Sequence, residues 1–493
     1  MKRIAIILLF LSAPAFAGWS EPVRIGIPGG YQYPQILAAG DTLHVVGTLL
    51  PGGDKVVYLR SDNGGDSWSE GQVLSDTINS TNAMFARIVK HEQNLIVFWR
   101  SILNTGPRPW NIGYSLSHDN GETWTETLYI INPGWDHILY FSASGSGPVV
   151  NVIASRRVSP DLIFYSIRST NFGESWLGPV EIFQGAQSSR TDQISHNNMV
   201  FYVWAGRFVW SGVYEIFYIR SFDNGETWSE NFRLSDDDSV LSRTPAIFTN
   251  GGYTVGATWT DWKYTPGWLT GDIVYRQSSD SGSSWASESQ ITFNHLADYS
   301  DVCTSEDFVH VIWQDYGMGI TRRSIYYERS SDGGESWGDP YWLDGTDDDS
   351  WNPAIAASNG KVYVVWADGR SSPPEDIYPG IYFSRYEEGT SVISEPTNLP
   401  QAISLSAYPN PFNTTTIISY ANLDNSGGID ILNVLGQVVK TFNIQNRKGG
   451  QNGQGEIVWD GTDEAGNPVA SGVYFAKARG SSGAVMLKLE YLK

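Results

Sequence analysis

The sequence has little cysteine, little positive charge and no long apolar run in its body, and each shortage excludes a class of protein. Cys303 is the only cysteine among 493 residues, so no intramolecular disulfide can form, and we interpret it as a buried, inert thiol. The 32 basic residues face 53 acidic ones. A net charge of -21 disfavours a nucleic-acid or anionic-membrane partner, because both require a cationic face.

The chain begins with the pattern of a secretory signal. MKRIAIILLFLSAPAFA has two basic residues, an apolar run from Ile4 to Leu11, and an Ala-Phe-Ala triplet that ends at Ala17. The run is shorter than the roughly 20 apolar residues that cross a bilayer, and no later segment reaches that length. We therefore predict a signal peptide at 1–17, no transmembrane segment in the mature chain, and a product that is secreted or held at the cell surface.

Glycine and aromatic residues are abundant in the chain, and charged residues are few. The chain has 51 glycines, 20 tryptophans, 26 tyrosines and 20 phenylalanines, with 17% charged residues. This composition is typical of short aromatic strands joined by tight turns, and the length exceeds that of one ordinary domain. We expect an all-β protein with at least two domains.

One eight-residue pattern recurs six times. The copies are SDNGGDSW from 61, SHDNGETW from 117, STNFGESW from 169, SFDNGETW from 221, SSDSGSSW from 278 and SSDGGESW from 330. Each follows an alternating aromatic run, so it reads as a hairpin turn in which Asp or Asn accepts backbone hydrogen bonds, Gly takes positive φ, and Trp packs beneath. Asn63 and Asn171 replace the Asp in two copies, and because the acceptor oxygen is kept the turn should survive.

The repeated turn resembles the Asp-box (BNR) repeat of sialidases and related β-propellers, over residues 18–390. The resemblance implies four-stranded blades. Seven strand pairs begin near Tyr33, Phe85, His137, Asp192, Pro245, Asp301 and Pro353. The seventh unit lacks a fourth strand, which Trp19-Ser20-Glu21-Pro22 can supply by closing the ring. We predict seven blades; six is the alternative, with one weak unit as an insertion.

A second domain follows a polar linker at 391–405. Alternating strands at 406–493 predict a small immunoglobulin-like β-sandwich. Its motifs Pro409-Asn410-Pro411-Phe412-Asn413 and Ser471-Gly472-Val473-Tyr474 resemble the type A sorting domain of type IX secretion. That resemblance implies export across an outer membrane and the secretion machinery as a partner; an ordinary accessory module is the alternative.

A catalytic centre needs one asymmetric set of residues, so we look for it away from the repeated turns, at the opposite face of the propeller. The sialidase resemblance implies three arginines for a carboxylate, a Tyr nucleophile with a Glu, and an Asp acid/base. Arg190-Thr-Asp-Gln-Ile and Arg243-Thr-Pro-Ala-Ile occupy equivalent positions in successive units, and Arg87 falls outside that register. The candidate catalytic residues are Tyr299, Tyr378, Glu375 and Asp136. The candidate substrate-binding residues are Arg190, Arg243, Arg87, Trp110, Trp210, Trp262, Trp268 and Trp351.

Other residues at this face are interpreted as structural. Trp204, Trp259, Trp313 and Trp366 recur at strand ends, which indicates blade packing, and Asp261, Asp315 and Asp368 follow three of them as loop acceptors. No cofactor motif appears at usable spacing. The acidic loops at 236–238 and 347–349 are candidate positions for structural calcium, although we favour solvated turns.

We expect a sialidase-like propeller that recognises an extracellular glycan or glycoprotein. Whether it cleaves that glycan is open. An exo-sialidase reaction is the first enzymatic hypothesis, and a polysaccharide lyase is weaker because few histidines lie at this face. The alternative function is a non-catalytic binding or adhesive propeller.

Overall fold

A computed structural model describes residues 18–492, apart from 27–28, 51–53, 77–79, 104–109, 131–137, 159–160, 185–186, 208–211, 265–269, 294–295, 306–307, 317–321, 347, 371–378, 388–403, 409, 411, 422–427, 434–436, 444–454 and 481–482. The predicted signal peptide at 1–17 lies outside the described residues. The chain divides into two compact units, Met1–Gly389 and Thr390–Lys493. The described residues form strands and turns without a helix, and therefore contain no helix able to cross a membrane.

The first unit consists of seven four-stranded antiparallel sheets, here called blades 1 to 7. Strand β1 (Val23–Ile25) belongs to blade 7. Blade 1 contains β2 (Gly30–Ala39), β3 (Thr42–Leu50), β4 (Lys55–Ser61) and β5 (Gln72–Val73). Blade 2 contains β6 (Ser80–His91), β7 (Asn94–Leu103), β8 (Trp110–Ser117) and β9 (Leu128–Ile130). Blade 3 contains β10 (Ile138–Ser146), β11 (Val149–Val158), β12 (Asp161–Ser169) and β13 (Leu177–Gln184).

The remaining blades repeat this order. Blade 4 contains β14 (Gln187–His196), β15 (Met199–Arg207), β16 (Glu215–Ser221) and β17 (Phe232–Arg233). Blade 5 contains β18 (Ser242–Thr249), β19 (Val255–Asp261), β20 (Asp272–Ser278) and β21 (Ser289–Gln290). Blade 6 contains β22 (Ala297–Ser305), β23 (Phe308–Asp315), β24 (Ser324–Ser330) and β25 (Tyr341–Trp342). Blade 7 contains β26 (Ser350–Ser358), β27 (Lys361–Asp368), β28 (Gly380–Glu387) and β1.

The first strand of each blade lines the centre of a closed ring. Each of these strands contacts the first strand of the next blade, and the contact between β26 and β2 completes the circle. Closure uses the N-terminus as predicted: β1 pairs antiparallel with β28, and Trp19 forms a bridge to Tyr386. The propeller therefore has seven blades, and the six-bladed alternative is wrong.

The repeated turns join the third and fourth strands and are held by the bonds that their sequence predicts. In the copy from 221, the Ser221 hydroxyl donates to Asp223 Oδ1 at 2.7 Å and accepts from the Gly225 amide at 2.8 Å. Asp223 Oδ1 also accepts from the Thr227 amide at 2.8 Å. Asn63 and Asn171 make the same acceptor bond, at 2.9 and 3.0 Å, so the turn survives the loss of charge.

The recurring tryptophans at the other face are structural, as predicted, and so are two of the three recurring aspartates, Asp261 and Asp368. Trp204, Trp259, Trp313 and Trp366 are at most 1% exposed, and each packs in a core cluster. Asp261 Oδ2 accepts hydrogen bonds from the Ser242 hydroxyl at 2.9 Å and from the Trp259 indole at 3.1 Å, and Asp368 does the same for its blade.

The second unit is a β-sandwich. One sheet contains β29 (Ser404–Tyr408), β30 (Thr416–Ala421) and β33 (Gly455–Trp459). The other contains β31 (Gly428–Asn433), β32 (Val438–Asn443), β34 (Gly472–Gly480) and β35 (Gly483–Tyr491). Phe412, Trp459 and Tyr491 meet in its core. The first strand begins at Ser404, two residues before the predicted boundary at 406.

Candidate anion-binding site

The first strands of the blades carry a β-bulge where they enter the ring. The pairing register shifts between Gln32 and Gln35 in blade 1 and at matching places in the six other blades. Five blades place a non-glycine residue there with left-handed φ of 52° to 60°, namely Tyr33, Phe85, Thr244, Tyr299 and Asn352. This conformation costs roughly 1–2 kcal/mol per residue, so the surrounding fold must hold it. Bulges of this kind redirect side chains, and all five residues line one cavity.

The cavity, called here the arginine cavity, has a volume of about 280 Å³. It is lined by four arginines and three tyrosines, which are Arg87, Arg100, Arg190, Arg243, Tyr33, Tyr140 and Tyr299. No carboxylate is among the described lining residues. Four guanidinium groups in one concave site concentrate positive potential within a chain whose net charge is -21.

Two arginines lie over tyrosine rings. The Arg190 guanidinium carbon is 4.8 Å from the centroid of Tyr299, and that of Arg243 is 4.8 Å from the centroid of Tyr214. Stacking on an aromatic face leaves the edge of the guanidinium, with its N–H donors, free to bind another group. The ring contacts thus position both guanidinium groups without using their N–H donors.

Arg100 and Arg87 form the other part of the cavity wall. Arg100 Nη1 donates to the carbonyl of Leu139 at 2.5 Å, and its guanidinium lies 4.0 Å from the ring centroid of Trp110. Arg87 Nη1 donates to the carbonyl of Ala86 at 3.1 Å. Burial lowers the pKa of both arginines, and the charge of Asp192 opposes this shift at Arg87. Both remain cationic at neutral pH because arginine starts from so high a pKa.

Each of the four arginines keeps one buried N–H without an acceptor among the described residues. These atoms are Nη1 of Arg190 and Nε of Arg87, Arg100 and Arg243. Two other arginines of the propeller hold carboxylates: Arg323 pairs with Asp349, and Arg370 pairs with Asp368. Since buried polar groups are normally satisfied, four arginines that line one cavity and each keep an unpaired donor indicate a place for an anionic acceptor.

Carboxylates near the arginines serve the backbone. Asp192 Oδ2 accepts from the amide of Ile247, and Asp301 Oδ2 accepts from the amide of Ile355, each at 3.0 Å. In this way they satisfy amides on the first strand of the next blade. Burial, reinforced by the charge of Asp192, raises the pKa of Asp301 to about 6. We assign both carboxylates to ring assembly.

The strand pairing corrects the predicted equivalence of two arginines. Arg243 pairs with Thr260, whereas Arg190 falls within the bulge between Ser188 and Thr191. The buried Trp204 and Trp259 occupy equivalent positions in the second strands of blades 4 and 5. When the two blades are aligned on these tryptophans, Thr244 is the counterpart of Arg190, and Arg243 lies one residue earlier. Arg87 is the counterpart of Asp192, which agrees with its predicted place outside the register. The three arginines reach the same cavity from three different positions.

The structure places the other predicted site residues as follows. Tyr299 lines the arginine cavity. Trp110 lies beneath Arg100, and Trp351 lines an adjoining cavity that shares Tyr33, Tyr299 and Asn352. Trp262 donates its amide to the carbonyl of Leu241 and does not line either cavity. Asp136, Trp210, Trp268, Glu375 and Tyr378 lie outside the described residues.

Sequence reasoning did not select Arg100, Tyr33 or Tyr140 for the site. A usable signal was present: Pro34, Pro245 and Pro353 follow the left-handed residue in three blades. Within a sheet, proline is confined to edge positions and bulges, so these prolines mark the bulge and hence the residues that line the cavity.

Acidic residues of the two candidate calcium loops form ion pairs with lysine and arginine side chains. Asp236 is paired with Lys263 and with Arg276, and Asp237 with Arg233. Asp349 is paired with Arg323. Among the described residues no group of three potential ligands could hold a metal ion. The side chains of Asp236 and Asp349 are 42% and 36% exposed, so these ion pairs lie in solvent-accessible turns.

Known proteins resemble the first unit of this chain in fold. No curated protein matches the chain. An ulvan lyase of polysaccharide lyase family 25 superposes with a TM-score of 0.52 at 10% identity, covering 74% of this chain and 95% of that chain. The NanB sialidase of Streptococcus pneumoniae gives 0.42 at 13% identity, covering 76% and 71%. A protein of unknown function from Dyadobacter fermentans gives 0.48 at 13% identity, covering 75% and 99%.

At these identities the ulvan lyase shows the fold alone. The second unit matches the FlgD Ig-like domain model over residues 421–484, which span β31 to the start of β35. The chain is therefore an all-β propeller, with glycan-acting enzymes among its structural neighbours, joined to an immunoglobulin-like domain.

Proposed function

We propose that the propeller recognises an acidic saccharide and that the arginine cavity binds its carboxylate. The observation that carries the proposal is the convergence of four arginines whose buried N–H groups have no acceptor among the described residues. A carboxylate offers a planar pair of oxygens that matches the guanidinium fork. The tyrosines add ring faces for the C–H surface of a sugar and hydroxyls for its polar groups.

Hydrolysis of a terminal acidic sugar, in the manner of a sialidase, is the enzymatic form of this proposal. It is supported by Tyr299, which lies in the same cavity under Arg190. The predicted partners of that tyrosine, Glu375 and Asp136, lie outside the described residues. A non-catalytic glycan-binding propeller is favoured by the described lining of the cavity, which contains no carboxylate to act as acid or base.

Calorimetric titration tests recognition. Sialyllactose and a glucuronate-containing oligosaccharide should bind at least tenfold more tightly than lactose, because lactose lacks the carboxylate, and added salt should weaken only the acidic ligands. Equal binding of lactose would refute the proposal. A fluorogenic sialoside then separates the two forms: release of fluorophore that is lost in Tyr299→Phe supports hydrolysis, and binding without release supports the non-catalytic form.

We also propose that the protein is exported to the cell surface or beyond it, with the C-terminal unit as the type IX sorting signal. The leader-like residues 1–17 and the motifs of the second unit support this proposal. Fractionation of a host that has a type IX system should find the full chain outside the outer membrane, and a chain truncated after residue 405 inside it. Equal export of both chains would contradict the assignment.

A further inference from the structure

A second candidate site lies in a crevice between blades 5 and 6. This crevice is lined by Ile291, Thr292 and Phe293 from blade 5, and by Tyr326, Glu328 and Trp337 from blade 6, among others. It shares no lining residue with the arginine cavity. Its chemistry is also opposite, because its charged lining residues are Asp315, Glu328, Glu335 and Asp339, all acidic.

Glu328 is the central feature of the crevice. It is 3% exposed, and its Oε2 has no hydrogen-bond partner among the described residues. Burial, with the charge of Asp339, raises its pKa to about 8. A buried carboxyl oxygen without a partner is costly, so its retention needs an explanation.

The other blades show which residues occupy the position equivalent to Glu328. Glu328 lies two residues before the serine that begins its repeated turn. In chain order, the six turns have at this position Leu59, Ser115, Ile167, Ile219, Arg276 and Glu328. In blade 5, Arg276 reaches back to blade 4, where Nη1 donates to the carbonyl of Leu234 at 2.7 Å and Nη2 pairs with Asp236. That crevice is therefore closed by a guanidinium.

The interface between blades 5 and 6 carries a carboxyl group where the interface between blades 4 and 5 carries a guanidinium group. The amide of Ile291 donates to the carbonyl of Ile273. One blade earlier, the amide of Leu234 donates to the carbonyl of Ile216 in the same way. Phe293 therefore occupies the position that Asp236 occupies one blade earlier. Phe293 is 70% exposed. The ion pair of the preceding interface is thus replaced by a carboxyl group and a solvent-facing aromatic ring. No other repeat has a carboxylate at the position of Glu328.

We propose that the crevice between blades 5 and 6 binds a guanidinium group from outside the chain, with Glu328 as its counter-ion and the rings of Tyr326, Phe293 and Trp337 beside it. A guanidinium suits this place better than an ammonium group, because it stacks on aromatic faces and pairs with a carboxylate through two parallel N–H bonds. The group comes from an arginine side chain of a partner protein or from a free guanidinium compound.

Titration of the full mature chain with three probes tests this site. Nα-acetyl-arginine methylamide should bind, and the citrulline analogue, which has nearly the same shape without the charge, should bind at least tenfold more weakly. Agmatine distinguishes the sources: weaker binding than the arginine amide assigns the occupant to a polypeptide, and equal binding assigns it to a free guanidinium compound. Equal binding of arginine and citrulline amides would overturn the proposal.

Two variants locate the interaction. Glu328→Gln preserves shape and should weaken the arginine amide at least tenfold, whereas Glu174→Gln removes an exposed carboxylate from the repeated turn of blade 3, outside the crevice, and should change affinity less than twofold. The double variant Glu328→Arg with Phe293→Asp rebuilds the closed interface of blades 4 and 5. It should remain folded and lose binding. Unchanged affinity in Glu328→Gln, or in a folded double variant, would reject the site.

Discussion

Arg190→Ala should weaken the binding of an acidic saccharide about 100-fold while the propeller remains folded. Charged hydrogen bonds contribute about 1.5–3 kcal/mol each, and 1.4 kcal/mol corresponds to tenfold in affinity. Arg190 lies on the ring of Tyr299 and forms no hydrogen bond that anchors another blade among the described residues, so its loss removes a ligand contact more than a structural one. Isothermal titration calorimetry of the wild type and variant, with sialyllactose or the tightest acidic ligand found, measures the effect.

The matched variants separate geometry from charge. Arg190→Lys keeps the charge and loses the planar fork, so it should recover only part of the affinity. Arg60→Ala removes the same charge beside a repeated turn, where Arg60 is paired with Asp62 and Glu122, and should leave affinity within twofold. If Arg60→Ala and Arg190→Ala weaken binding equally, the arginine cavity acts only through net charge and is not the binding site.

Arg243 gives a second position for the same argument. It reaches the cavity from a place one residue before the counterpart of Arg190, and it lies on Tyr214 instead of Tyr299. Both arginines approach one ligand from neighbouring blades, so their effects on affinity are expected to be non-additive. This coupling is what a shared carboxylate requires.

The sequence allowed prediction of those parts of the fold that depend on local chemistry. Each repeated turn is specified within eight residues, and Ser221, Asp223 and Gly225 make the bonds that their types and spacing demand. The closing role of the N-terminus was also readable, because Trp19-Ser20-Glu21 copies the residues that follow the turns. Fold class and blade number followed from such repeated signals.

The site was less accessible because it depends on the register of strands far apart in sequence. A bulge shifts the pairing by one residue, so Arg190 and Arg243 look equivalent in sequence and are not equivalent in space. Tyr140 and Arg100 reach the cavity from two other blades. Their convergence follows from ring closure, which no local pattern encodes.

Ring closure leads to the largest expected effect on stability, in Trp19→Ala. Trp19 is 6% exposed, and its ring centroid lies 4.8 Å from that of Tyr327 in blade 6 and 5.5 Å from that of Tyr386 in blade 7. It therefore fastens the segment before β1 across two blades of the propeller. Removal of a buried tryptophan side chain costs about 3–5 kcal/mol.

Urea unfolding of the wild type and variant, followed by tryptophan fluorescence, should show this loss as a lower midpoint. Trp342→Ala is the matched control: Trp342 lies on the outer strand of blade 6 and is 44% exposed, so its removal should cost much less. Because loss of Trp19 also loosens β1 from β28, the freed edge of β28 should make the variant more prone to aggregate. Equal midpoints for the two variants would show that the ring is held without its N-terminal strand, by the contacts between the first strands alone.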